Sequence, residues 1–189
     1  MTAPPSEPNV NTAEVFQKLQ AEFGESAVFD FHEAGKDRDP WFQVEPFSIE
    51  AIAVKLKTEP EFHFDYLECV TGIDFPDDKK IHVVYHLYSY AKKHRAVLKV
   101  LLDRDDPVVP TISSVWPAAN WQERECFDLL GVLFDGHPDL RRILLPDDWE
   151  GHPLRKDYAE GDEYHGIPTI RPNPVELFSI KLPEKKAQA

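Results

Sequence analysis

Between Trp121 and Tyr158 the chain carries opposite charges at a density that a folded segment holds only if they satisfy one another. Glu123, Arg124, Glu125 and Asp128 lead into Gly131, and His137, Pro138, Asp139, Leu140, Arg141 and Arg142 follow. Between His137 and Asp157 four cations (Arg141, Arg142, Arg155, Lys156) face five carboxylates (Asp139, Asp147, Asp148, Glu150, Asp157). Apolar residues interrupt the charges throughout, so part of this segment must be buried. An unpaired buried charge is too costly to keep, and near balance therefore predicts mutual pairing. Arginine suits such pairing because its planar fork matches a carboxylate and fixes geometry as well as charge.

Ahead of this segment the periodicities predict an α+β core. Asn11 and Glu14 stand at N-cap and third helical positions, Val15, Phe16, Leu19 and Phe23 recur at helical spacing, and Gly24 closes the helix. Val28 to Phe31 and Trp41 to Val44 read as strands joined by a turn from Gly35 to Pro40. Ser48 is placed to cap a second helix with Ile49, Ile52, Ala53 and Leu56 inward. Three more strands are expected at Cys69–Phe75, Ile81–Tyr90 and Arg95–Leu102, the last two forming a hairpin through Ala91–His94. A third helix starts near Pro117, which fits a first helical turn, and runs to Gly131. On it Trp121, Glu125 and Asp128 share one face by spacing, with Arg124 paired along the helix to Asp128.

The expected fold is thus α+β, a small mixed or antiparallel sheet with flanking helices, followed by a long extended arm. Residues 1–10 are expected to be disordered, 11–131 to form the core, 132–158 the charged loop region and 159–189 the arm. Pro168, Pro172, Pro174 and Pro183 mark the arm's extended path, and its Tyr164, Ile167, Val175, Leu177 and Phe178 suit laying it over a neighbouring protein.

Composition removes several function classes. A net charge of −13 opposes phosphate-backbone binding. No run of 18 apolar residues exists to span a membrane, and the first residues have neither the basic and apolar regions of a secretory signal nor an arginine before Arg38. Cys69 and Cys126 lie far apart with no paired-cysteine motif, so buried reduced thiols are expected, and two cannot hold an iron–sulfur cluster. His82 and His86 have helical metal-ligand spacing but sit in a β-rich run, where four steps of about 3.3 Å set them about 13 Å apart. No glycine-rich nucleotide loop is present, and Ser113 and Ser114 read as caps or turn formers. No metal, cofactor or catalytic residue is therefore assigned.

The order Glu123–Gly131, His137–Arg142 and Pro153–Asp157 closely resembles the signature of the 30-kilodalton subunit family of respiratory complex I, the C subunit of bacterial NADH:quinone oxidoreductase. A looser similarity reaches back to about Asn11. The family usually continues with proline after the aromatic that follows its Lys-Asp pair, where this chain has Ala159. The resemblance implies a non-redox structural and assembly subunit of the peripheral arm, docked on the large quinone-site subunit near the membrane arm. Neighbouring iron–sulfur subunits complete its surroundings, at the cytoplasmic face of a bacterial plasma membrane. A subunit of a membrane-bound hydrogenase or ferredoxin-linked relative is the alternative, and a free-standing soluble enzyme the rival from another class. The residues singled out as ion-pair or partner-contacting are Glu123, Arg124, Glu125, Asp128, His137, Asp139, Arg141, Arg142, Arg155, Lys156 and Asp157. Glu125 and Asp128 are expected to organise the fold while the loops at His137–Arg142 and Pro153–Asp157 face the partner. A purely intramolecular network is the competing arrangement.

Overall fold

The computed structural model describes residues 11–33, 35 and 39–169. The N-terminal stretch of residues 1–10 and the greater part of the expected arm, residues 170–189, lie outside them, as do parts of the Gly35–Pro40 turn.

The first helix, α1 (Thr12–Phe23), begins where expected: the Asn11 side chain accepts the Ala13 N–H, and Gly24 ends it at a φ of +90°. A two-strand unit follows, β1 (Val28–His32) and β2 (Trp41–Val44), antiparallel with an irregularity between Phe29 and His32. After one turn of 3₁₀ helix at Pro46–Ser48 comes α2 (Ile49–Thr58), burying Ile49, Ile52, Ala53 and Leu56. Ser48 occupies the N-cap position without capping. Its hydroxyl and N–H instead donate to the Glu45 carboxylate, each at 3.0 Å.

Strands β3 (Tyr66–Phe75), β4 (Lys80–Ser89) and β5 (His94–Asp103) form an antiparallel meander. β3 starts three residues earlier than its alternation suggests, because a bulge between Leu67 and Cys69 shifts the phase of inward and outward residues. The sheet order is β1-β2-β5-β4-β3, with β2 parallel to β5 and every other pair antiparallel. Registered pairs on one face, Ile81 with Leu102, Val83 with Val100, Tyr85 with Leu98 and Leu87 with Ala96, are fully buried. Val15 and Leu19 of α1, Ile52 and Leu56 of α2, and Cys126 and Leu130 of the third helix belong to that same core. The opposite face carries Lys80, His82, His86, Tyr88, Lys99 and Leu101, all partly accessible, as expected of an antiparallel sheet covered on one side.

After β5 come β6 (Val108–Pro110), α3 (Ala119–Leu130) and β7 (Leu133–Asp135), which pairs parallel with β6. Helix α3 starts two residues beyond Pro117. It packs on β3 so closely that a Cβ on Gly72 would stand 2.3 Å from Leu130 Cδ1. A first compact unit runs through Tyr158 and a second begins at Ala159. The described part of the second is a small hairpin, β8 (Glu163–Tyr164) with β9 (Ile167–Pro168), turning at His165 and Gly166.

Candidate functional site

The charged segment converges on the C-terminal end of α3. A helix leaves its last carbonyls without partners and places the negative end of its dipole there. Here cationic and polar groups from the following loop take those carbonyls. Asp128 O accepts from Arg142 Nη1 at 3.1 Å and from His152 Nδ1 at 3.0 Å, Leu129 O from the Leu154 N–H at 3.0 Å, and Leu130 O from Arg155 Nε at 2.8 Å. Gly131 follows at a φ of +78°, and the His152 ring lies so near that a Cβ there would meet Nε2 at 2.6 Å. Only glycine satisfies both the backbone and the close approach.

Asp128 is the centre of the arrangement. Its carboxylate is fully buried, with Oδ1 accepting from Arg142 Nη1 at 2.8 Å. Oδ2 accepts three successive backbone N–H groups, Ile143 at 3.0 Å, Leu144 at 2.7 Å and Leu145 at 3.0 Å. Burial alone would push this carboxyl up, but the bonds from Leu145, Leu144, Arg142 and Ile143 together outweigh it and hold the group below the usual carboxylate range. Arg142 also donates Nη2 to Trp149 O at 3.0 Å and Gly151 O at 3.2 Å. One ion pair thus ties α3 to both halves of a loop with almost no regular structure.

Arg124, buried on α3, donates Nε to Arg141 O at 3.1 Å and Nη2 to Arg142 O at 3.4 Å. Its guanidinium also lies 3.6 Å from Asp139 and 5.1 Å from the Trp121 ring centre. Glu123, fully buried on the other flank, accepts from Thr111 Oγ1 at 2.5 Å and from the Ile112 N–H at 2.9 Å. Burial pushes its carboxyl up to about 7 against those two bonds. His137 is enclosed beside it, Nε2 donating to Asn120 O at 3.2 Å and Nδ1 accepting the Asp139 N–H at 3.0 Å. A ring nitrogen that accepts carries no proton, so the imidazole is neutral and its 3.8 Å approach to Glu123 is no ion pair.

A second anchor fixes the far end of the loop. Arg104 forks onto Asp74 through Nε at 2.7 Å and Nη2 at 3.0 Å, and its Nη2 reaches Asp157 at 2.5 Å. Asp74 also accepts the Lys156 N–H at 2.8 Å. The Arg104 bond, aided by that of Lys156 and opposed by burial, lowers the Asp74 carboxyl. Arg104 likewise lowers Asp157.

With this geometry in place the relatives are informative. The family described as Respiratory-chain NADH dehydrogenase, 30 Kd subunit, matches residues 42–164. The C subunit of NADH-quinone oxidoreductase from Chlorobium phaeobacteroides is 42% identical over 155 residues, covering 80% of this chain and 91% of the relative. The chain belongs to this family. The C subunit from Moorella thermoacetica is 52% identical over 116 residues, 60% of this chain and 77% of its own length. Among solved structures, a chain of the membrane-bound sulfane sulfur reductase, an archaeal respiratory membrane complex, aligns with a TM-score of 0.63 at 25% identity, over 78% of this chain and 85% of that one. A trypsin-resistant fragment of Nqo5 aligns with a TM-score of 0.50 at 26% identity, over 68% and 98%. The curated relatives are named as subunits of an enzyme complex, NADH-quinone oxidoreductase.

In this member of the 30 Kd family the residues singled out from sequence, Glu125 apart, divide into four groups. Asp128, Arg142 and Arg155 meet at the end of α3, joined by Arg124 through the loop carbonyls. Glu123 and His137 form a neighbouring buried cluster, and Lys156 and Asp157 join Arg104 and Asp74. Arg141 and Asp139 pair with each other at the surface, 3.0 Å apart. Two expectations are corrected. Glu125 does not organise the fold: it is exposed, and the buried acids of α3 are Glu123 and Asp128. Arg124 does not pair along the helix with Asp128, which takes Arg142 instead. Trp121 and Glu125 are on the solvent side, whereas Asp128 is covered by the loop whose N–H groups it accepts. Cys69 is only half-buried, although Cys126 is enclosed as expected. Arg104 and Asp74 were invisible to the sequence, where they stand far from the signature among ordinary turn and strand residues. Among the described residues no group of three or more His, Cys, Asp or Glu could hold a metal ion, and no helix is long and apolar enough to cross a membrane.

Proposed function

We propose that this chain is a structural docking subunit of the peripheral arm of NADH:quinone oxidoreductase, carrying out no redox step of its own. The observation that carries this reading is the loop from Asp139 to Asp157. Buried Asp128 and the largely enclosed Arg142 fasten it down, yet it turns Leu144 and Leu154 outward, 60% and 53% exposed. Ordering such a loop in the free protein lowers the entropy lost on binding, and exposed leucines on a rigid frame suit a protein interface. The partner proposed is the large quinone-site subunit, with iron–sulfur subunits adjacent, at the cytoplasmic face of the bacterial plasma membrane.

The likeness to a chain of the sulfane sulfur reductase complex favours, as a second reading, a subunit of a related respiratory membrane complex. Identities of 42% and 52% to NADH-quinone oxidoreductase subunits against 25% there support the first. The test is to isolate the tagged chain from its native membranes in mild detergent. Co-purification with a quinone-site subunit and an NADH-binding flavin subunit is expected, with recovery falling for Leu144→Asp plus Leu154→Asp. Recovery with a sulfur-reducing or nickel-containing subunit supports the second reading, and recovery alone, with turnover, the free-standing enzyme.

A further inference from the structure

Beside the signature loop lies an open groove of about 700 Å³ between the loop after β6, the start of α3 and the end of β7. Its apolar walls are Trp121, Pro110, Pro117 and Pro138, and Glu50 and Asp135 bring negative charge to it. No Lys, Arg or His lines it. Trp121 is 64% exposed, an unusually large apolar surface to leave in water. The carboxylates of Glu50 and Asp135 have no hydrogen-bond or ion-pair partner among the described residues. The groove is continuous with the fastened region, since Pro138 follows buried His137 and Thr111 bonds Glu123.

We propose that this groove receives an extended cationic segment of a neighbouring subunit, with an arginine or lysine set between Glu50 and Asp135. The proposal rests on the docking reading above and names the kind of partner surface that one part of the chain takes. Charge complementarity selects the occupant: two carboxylates in a groove that no Lys, Arg or His lines attract a basic group and repel an acidic one, the Arg124 guanidinium being held outside the lining against the Trp121 ring. The aliphatic stem of Arg or Lys would lie along the proline walls while its charged head reaches the acids. Trp121, whose ring already has the Arg124 guanidinium 5.1 Å from its centre, offers exposed apolar surface to the stem. Proline walls have fixed backbones, so little ordering is lost on their side when the segment binds.

The test uses the assembled complex. The tagged chain is produced in its own host with p-benzoylphenylalanine in place of Trp121, and separately in place of Pro117 on the groove wall. Membranes are irradiated, the complex is purified, and cross-linked peptides are sequenced. The expected product joins position 121 or 117 to a segment of another subunit with Arg or Lys within a few residues. Glu50→Lys with Asp135→Lys should lower its yield about tenfold through like-charge repulsion. The control Asp77→Lys with Asp78→Lys, on the β3–β4 turn, should leave it within about twofold because remote exposed charges are screened. Cross-links confined to this chain, or to a segment without a cation, overturn the groove proposal while leaving the docking reading intact. Recovery of the chain with no other subunit overturns the docking reading itself.

Discussion

Asp128 and Arg142, fourteen positions apart, meet at 2.8 Å through Oδ1 and Nη1, the ion pair at the centre of the bonds that join helix and loop. The same aspartate takes the N–H groups of Ile143, Leu144 and Leu145 on its other oxygen, and the same arginine takes the carbonyls of Trp149 and Gly151. Neither residue can be removed without leaving buried polar groups of the other element unmet.

Asp128→Ala should therefore cost roughly 3–5 kcal/mol, the range for breaking a buried pair by deleting one member. Glu125→Ala, three positions away but exposed, should stay within about 0.5 kcal/mol. Urea unfolding of the purified chain checks both. Equal losses from the two variants would show that the α3 edge under the loop has been wrongly assigned.

Stability should depend on pH through Glu123. Its carboxyl is raised by burial from the ordinary 4.5 to about 7, so the folded chain binds the proton more tightly than the unfolded one. Stability from this group is full below about 4.5 and is lost as pH rises through about 7, by roughly 3 kcal/mol at most. Asp128 and Asp74 are lowered, so their contribution is present above the ordinary carboxylate range and is lost on acidification below it. Glu123→Gln should flatten the decline between about 4.5 and 7 without touching the acid limb. Urea midpoints measured across that range decide it, and an unchanged slope in the variant would refute the assignment.

Gly131→Ala should destabilise by more than Gly136→Ala. Both glycines have positive φ, +78° and +76°, so each substitution carries a left-handed backbone cost of about 1–2 kcal/mol. At Gly131 the new methyl must also displace His152, whereas at Gly136 it meets only Thr111 Cγ2 at an ordinary 3.6 Å. Thermal unfolding of the two variants isolates the cost of dislodging His152 from the helix end.

Arg104→Gln should loosen the far end of the loop without unfolding the domain. Asp74 keeps the Lys156 N–H but loses its fork, and Asp157 loses its partner. Faster proteolytic cleavage after Lys156, with cleavage after Arg141 unchanged, is the expected pattern.

Tyr85→Phe should be neutral or stabilising by about 1 kcal/mol, since the buried hydroxyl finds no hydrogen-bond partner. A clear loss of stability on urea unfolding would show an ordered water joining that hydroxyl to its surroundings.

The sequence by itself determined the elements and the membership. Alternation placed β4 and β5, helical spacing placed α1 and α2, and the order of Glu123–Gly131, His137–Arg142 and Pro153–Asp157 marked the family, because these signals are local and survive without knowledge of the fold. Near balance of charge between His137 and Asp157 suggested pairing inside that stretch, and Arg141 does pair with Asp139, but Arg142 takes Asp128 and Asp157 takes Arg104 from outside it. Which charge pairs with which was decided only by tertiary structure. Spacing along α3 favoured Glu125 as the organiser and Asp128 for Arg124, but in the fold Leu130 packs against the bare Cα of Gly72, Glu123 and Asp128 are buried, and Glu125 is left to water. The Arg104–Asp74–Asp157 anchor joins positions 30 and 53 residues apart, a pairing that exists only once the sheet has brought the end of β3 beside the turn after β5.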